Sequence, residues 1–335
     1  MKRLFAIFIC FACILFLMFS PSIIAGGVHK NIYTVREQKK QNVYRGTLVL
    51  WHVVSFPTPE TGGVTYLTER ASAFERQHPY VYVDVIGMTP EEAEERKKNG
   101  ESPDILSFPM GYLNDASSLA ALEPNKNIES VFSGCGTNGT TVYAYPYMAD
   151  AYVLMVNEAI LVDEDLSLPA GDAMDREALS KLLARNKIAI TDLSGSAPAS
   201  ALALALGNSQ PPDYIAGTEN FLDGSVPLCL CTYGEYAKIS EAPENSALDI
   251  SVYSISRYTD LVQMIGVLSC SDAVKEEICS SLSAFLLTAT SQRKLEATGM
   301  LPVRNVSDIF SSPYYGMFAY LYKEAEIPPS FPDSG

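Results

Sequence analysis

Between residues 47 and 106 the sequence switches repeatedly between two hydrophobic periods, and this restricts the fold more than any other feature of the chain. Thr47-Leu48-Val49-Leu50-Trp51 is a short apolar run with β-formers, the mark of a buried strand. Leu67, Ala71 and Phe74 then recur at helical spacing, and His78-Pro79 ends that helix. Tyr80 to Ile86 alternates β-formers as a second strand. Pro90 to Asn99 is a charged helix stopped by Gly100, and Asp104-Ile105-Leu106 is a third strand. Strand, helix, strand, helix, strand implies a parallel sheet with helices on its faces, so the expected class is α/β. In such sheets ligands sit beyond the carboxyl ends of the strands. Trp51, at the end of the first strand, and Phe108, just past the third, are thereby expected on one rim.

The same rhythm resumes after about residue 150. Tyr152 to Val156 reads as a strand, and Asp175 to Asn186 as a helix with Leu179, Leu182 and Leu183 apolar. Ile188 to Thr191 is a strand, Ala197 to Leu206 a small-residue helix, and Val226 to Cys231 a strand. Asp249 to Ser254 is a strand leading back toward the first set, and Asp272 to Thr288 is a long amphipathic helix. A chain of 335 residues holds two lobes or one large domain. Two sets of elements favour two lobes, expected at 46–148 with about 258–304, and at 149–257 with about 305–335.

The N-terminus has the order of a secretory signal. Lys2 and Arg3 precede the apolar run Leu4 to Phe19, Ser20-Pro21-Ser22 breaks it, and Ile24-Ala25-Gly26-Gly27 supplies small residues. Residues 1–26 are expected to be a signal peptide or an N-terminal anchor, and 27–45 a polar tether. The expected location is outside the cytoplasmic membrane, on its extracellular face or in the periplasm, with the membrane reached through this segment alone or through a membrane partner. A net charge of −15 argues against nucleic acid, whose phosphates need a basic footprint.

Outside the apolar run lie Cys135, Cys229, Cys231, Cys270 and Cys279, an odd set that leaves at least one thiol unpaired within a chain. Cys229 and Cys231 share one strand face, but His29, His52 and His78 do not cluster with them, and no metal site is expected. Cys270 and Cys279 flank a helical stretch, and a bridge between them is one option. The sequence holds no Gly-x-Ser-x-Gly, no phosphate-binding Gly-rich loop and no His-Glu-x-x-His. No catalytic residue and no cofactor are assigned, leaving His52 and His78 as the imidazoles of interest.

Four segments carry a resemblance. The first is Gly46-Thr47-Leu48-Val49-Leu50-Trp51-His52 with the later Phe74-Glu75-Arg76-Gln77-His78-Pro79. The second is Gly100-Glu101-Ser102-Pro103-Asp104-Ile105-Leu106. The third runs from Tyr143-Ala144-Tyr145-Pro146 to Asn157, and the fourth is Gln292-Arg293-Lys294-Leu295 with Gly299-Met300-Leu301-Pro302-Val303-Arg304. In order and spacing they resemble extracellular solute-binding protein family 1, the maltose-binding-protein-like group. The resemblance implies a two-lobed periplasmic-binding-protein-like fold of class II with a ligand cleft between the lobes. The short span between Asn157 and Phe221 implies a reduced second lobe. It further implies a non-enzymatic monomer that captures a small ligand, a carbohydrate, and delivers it to the permease of an ABC transporter. The alternative is a ligand sensor or interaction protein of the same fold.

A sugar pocket needs flat aromatic faces for the ring and carboxylates for its hydroxyls. The resemblance assigns these roles to Trp51 and Phe108 on the first lobe and to Tyr147 and Asp150 at the crossing between lobes. It also points to Tyr233 and Tyr236 after a second-lobe strand, where a one-residue shift leaves open which tyrosine stacks.

Overall fold

Gly46 begins the first of two five-stranded sheets among the described residues. In the computed structural model β1 (Gly46–Val53) leads into α1 (Gly63–Glu75), β2 (Val81–Met88), α2 (Pro90–Lys98) and β3 (Ile105–Pro109). A hairpin, β4 (Thr137–Asn138) and β5 (Thr141–Val142), precedes β6 (Ala144–Ala149) and β7 (Tyr152–Asn157). Then come α3 (Arg176–Arg185), β8 (Ile188–Ile190), α4 (Pro198–Leu206), β9 (Ile215–Ala216), α5 (Glu219–Leu222), β10 (Leu228–Thr232) and α6 (Tyr233–Glu241). The run closes with β11 (Ile250–Ser254), β12 (Val262–Val267), α7 (Ala273–Phe285) and α8 (Ala289–Arg293). The structure describes residues 43–54, 62–161, 168–169, 171–193, 197–242, 245, 248–255, 257–306, 315, 318 and 325–331. The chain divides into units 1–45 and 46–335. Of the first, residues 43–45 are described, so the expected signal or anchor (1–26) and most of the tether (27–45) lie outside the described residues.

The first sheet has the order β2-β1-β3-β12-β6. β1 is parallel to β2 and β3, as the strand–helix rhythm requires, while β12 is antiparallel to β3 and β6. The second sheet has the order β11-β7-β10-β8-β9. The chain therefore leaves the first sheet after β6, builds the second, and returns to insert β12 between β3 and β6. This is the two-lobed class II arrangement, with crossings at 150–151 and between Ser254 and Val262. The second sheet has as many strands as the first, and its short members are β8 and β9, with 3 and 2 residues.

Burial follows from position in the sheet. β3, β6, β7, β10 and β12 are buried at every residue, as strands covered on both faces are. α2 shows the opposite case: Ala93 is its buried residue, and its ends are fixed locally. The Thr89 hydroxyl accepts the Glu92 N–H, the Glu92 carboxylate accepts the Thr89 N–H, and Arg96, Lys97 and Lys98 fill the last turn.

Of the stretch 305–335 expected with the second lobe, Tyr315 and Phe318 pack on Tyr233 of that lobe, while residues 325–331 also touch the second crossing and the first lobe. Glu326 pairs with Tyr258 at the second crossing, and the Gly136 N–H donates to Ser330 Oγ at 2.9 Å. Gly136 has φ +72, and a Cβ there would overlap the Ala144 carbonyl at the start of β6, so the backbones meet only at a glycine. Among the described residues no helix is long and apolar enough to cross a membrane.

Candidate functional site

The crossing-side ends of the first sheet carry a buried polar cluster with one residue from each of four neighbouring strands. His52 Nδ1 of β1 lies 2.8 Å from Ser107 Oγ of β3, which lies 2.8 Å from the Tyr147 hydroxyl of β6. Gln263 Nε2 of β12 donates to Ser107 Oγ at 3.0 Å and to the Val53 carbonyl at 2.9 Å. Burial pulls His52 down to about 4, so its imidazole is neutral at ordinary pH. The bonding closes if the Ser107 hydroxyl donates to His52 Nδ1 and accepts from Tyr147 and Gln263, which uses its one donor and both lone pairs. Gly63, at the start of α1, packs so tightly that a Cβ would overlap His52 Nε2. The Tyr66 ring stacks on Tyr147 with centroids 6.3 Å apart, and burial pushes both hydroxyls up. A serine–imidazole contact can move a proton, but all four members are shut off from solvent. The cluster ties four strands together.

The crossings form the second element of the site. The Asp150 N–H donates to the Leu261 carbonyl at 2.8 Å, and Thr259 Oγ1 donates to the Asp150 carbonyl at 2.8 Å, so each crossing holds the other. The Asp150 carboxylate accepts the Ala151 N–H at 2.7 Å and the Gly234 N–H at 3.1 Å, with the Thr232 hydroxyl as a third partner. Gly234 lies in the first turn of α6, whose positive end faces this carboxylate. Burial still dominates and pushes Asp150 up to about 7, against the pull of Ala151, Gly234 and Thr232. Asp260 repeats the device at the second crossing. Its Oδ1 accepts the Tyr152 hydroxyl at 2.6 Å, and its Oδ2 accepts the N–H of Ala197, the residue before α4, at 2.7 Å. Each crossing thus supplies one carboxylate to the N-terminus of a second-lobe helix.

α6 presents the remaining polar and aromatic groups. The Thr232 hydroxyl accepts the Glu235 N–H, and the Glu235 carboxylate accepts the Thr232 N–H at 3.0 Å and the Thr191 hydroxyl at 2.6 Å. The Tyr233 ring is buried against Tyr236, Tyr315 and Phe318, with centroids at 5.9, 6.1 and 4.8 Å. Tyr236 and Glu235 are half-buried. Among the described residues no group of three or more His, Cys, Asp or Glu is placed to hold a metal ion.

The six residues expected to line one cleft divide in three. Trp51 and Phe108 share one face of the first sheet, the face under α2, where the Arg96 guanidinium lies 6.0 Å from the Trp51 ring centre and Phe108 packs on Tyr112. Tyr147 belongs with His52 and Ser107 on the opposite face, because successive strand residues alternate sides. The shared platform expected from Trp51, Phe108 and Tyr147 is therefore not formed in this structure, and all three side chains are core. Asp150 is also buried, with both oxygens engaged by backbone N–H groups, so it is closed to solvent. Tyr233 and Tyr236 do come together, one turn of α6 from Asp150. Residues not singled out as site candidates are Ser107, Gln263, Thr259 and Asp260, which reach their partners only through the fold. Thr232-x-x-Glu235 was a readable helix-start signal.

No protein-family model and no curated protein sequence matches the chain. Solved structures do. The GacH receptor of Streptomyces glaucescens GLA.O, determined unliganded and with acarbose, is similar at TM-score 0.61 and 13% identity over 87% of this chain and 89% of its own. The maltodextrin-binding protein MalE1 from L. casei BL23 is similar at TM-score 0.60 and 17% identity, over 86% and 89%. The spermidine/putrescine ABC transporter substrate-binding protein PotD from Streptococcus pneumoniae is similar at 0.60 and 16%, over 84% and 92%. At these identities the likeness establishes the fold.

Proposed function

We propose that this chain is an exported solute-binding protein that holds a small ligand, a carbohydrate, between its two lobes and hands it to the permease of an ABC transporter, without chemistry on the ligand. The observation that carries this reading is the pair of mutually hydrogen-bonded crossings at Asp150 and Thr259–Asp260 between two separate sheets. Such paired connections let two lobes open and close as bodies around what lies between them. The similar structures include carbohydrate binders, which supports a sugar as the ligand. We place the ligand against the α6 end of the second lobe, where Tyr236 offers an aromatic face and Glu235 a carboxylate. Asp150 and Asp260 act as positioning residues that fix α6 and α4 to the crossings. The signal-like N-terminus supports action outside the membrane, and the proposed acting form is a monomer.

A second reading is a sensor or interaction protein of the same fold without a transport role. It is favoured by the burial of Trp51, Phe108, Tyr147, Asp150 and Tyr233, five of the six expected contact residues. A thermal-shift screen of the full chain against oligosaccharides, monosaccharides and polyamines separates the readings. A saturating carbohydrate at a hundred times its Kd adds about 2.7 kcal/mol, a rise in Tm on the order of 5 °C. A folded chain whose midpoint moves with none of them contradicts ligand capture.

A further inference from the structure

At the end of the first sheet remote from the crossings, residues 102–104 before β3, the turn after β12 and the first two turns of α7 border an open pocket of about 190 Å³. Its lining includes Ser102, Asp104, Cys270, Lys275 and Cys279. Asp104 directly precedes β3, and Lys275 Nζ sits 2.5 Å from its carboxylate. Cys279, one helical turn beyond Lys275 on the same face, is 1% exposed, whereas Cys270 is exposed. Both thiols are free, and the Cys270 Sγ is turned toward the Asp272 carbonyl at 3.3 Å. Cys270 and Cys279 thus border one and the same pocket.

We propose that Cys270 and Cys279 form a dithiol site that an external small-molecule disulfide converts into an intramolecular bridge, with Cys270 as the entry thiol and Cys279 as the resolving thiol. Exposure decides the order. The Cys270 thiolate attacks one sulfur of the oxidant, forming a mixed disulfide and releasing one small thiol that takes up the proton. Cys279, closed to a bulky reagent, then attacks the Cys270 sulfur. The protein disulfide forms, the mixed disulfide breaks, and the Cys279 proton leaves with the second small thiol. Two protein thiols are oxidised and one small disulfide is reduced to two thiols. Burial and, next, the Asp104 carboxylate push Cys279 up to about 12, and the Lys275 ammonium partly offsets them. The bridge staples the turn after β12 to α7, and β12 separates it from the crossings by roughly 20 Å. Its fate is therefore independent of ligand binding.

Trypsin provides a direct test, because Arg257, Lys275 and Arg293 place each cysteine on its own peptide, 258–275 and 276–293, with no other cysteine in either. The native full chain is incubated with glutathione disulfide, its remaining thiols are alkylated after unfolding, and the digest is read by mass spectrometry. The expected product is the two peptides linked, lighter than their sum by two hydrogens and separated by reduction. Cys279→Ser is expected to leave glutathione on Cys270, and Cys270→Ser to leave Cys279 unmodified in the folded chain. Glutathione retained on Cys270 of the wild-type chain beside a free Cys279, or Cys270 joined to a second chain, would overturn the proposal. Direct modification of Cys279 in Cys270→Ser would overturn the order of attack.

Discussion

Two buried titratable side chains set opposite pH dependences. Asp150 has a folded pKa of about 7 against an ordinary 3.8, so between those values the folded state holds a proton that the unfolded chain has released. Its contribution to stability is complete below about 3.8 and is lost as pH rises to about 7. His52 is the reverse: with a folded pKa of about 4 against 6.5, its contribution is complete above 6.5 and is lost as pH falls toward 4. Across the shared window the two slopes oppose each other. Relative to the wild type, Asp150→Asn should gain stability as pH rises from 4 to 7, by on the order of 3 kcal/mol, and His52→Gln should gain as pH falls from 6.5 to 4. Urea unfolding at a series of pH values checks both; the slope is the readout, because Asn also exchanges an acceptor for a donor at Ala151 or Gly234. Ser107→Ala strands His52, Tyr147 and Gln263 together and should cost about 1–3 kcal/mol in the same assay.

The elements carry their own tests. Gly63→Ala drives a methyl group into the His52 ring that Ser107 holds in place, and should cost about 1–3 kcal/mol by thermal unfolding. Two helix starts share one motif, Thr89-x-x-Glu92 and Thr232-x-x-Glu235. The first is exposed and the second is tied to Asp150, so Thr232→Ala should cost about 2 kcal/mol and Thr89→Ala about 1 kcal/mol or less. Both boxes can be read in the sequence, as can β1 through β3, because periodicity and capping are local. β9 and α5, with 2 and 4 residues, are too short to leave a period. The site was less legible for a different reason. Strand-end position placed Trp51 and Phe108 on the rim, but a central strand is buried on both faces, so core and platform look alike along the chain. That Tyr147 falls on the opposite face from Trp51 depends on register across β1, β3, β12 and β6, which no spacing encodes.

At the scale of the molecule, the sequence pattern reached the two-sheet plan, while the insertion of β12 between β3 and β6 and the pairing of the crossings appear only in the fold. The proposed role follows from that plan: the first lobe is completed by a strand that returns from the second, and each crossing clasps a second-lobe helix through a carboxylate. If Tyr236 stacks on the ligand, Tyr236→Ala should weaken binding about tenfold, near 1.4 kcal/mol, with a modest fall in the Tm of the unliganded chain from the lost contact with Tyr233. Calorimetric titration of the full chain with a malto-oligosaccharide series is the most direct test of ligand capture. The account predicts a saturable heat for at least one sugar, at one site per chain, with Kd near 1 μM or tighter, about −8 kcal/mol. A chain that circular dichroism shows to be folded, and that gives no saturable heat with any member of the series, would contradict it.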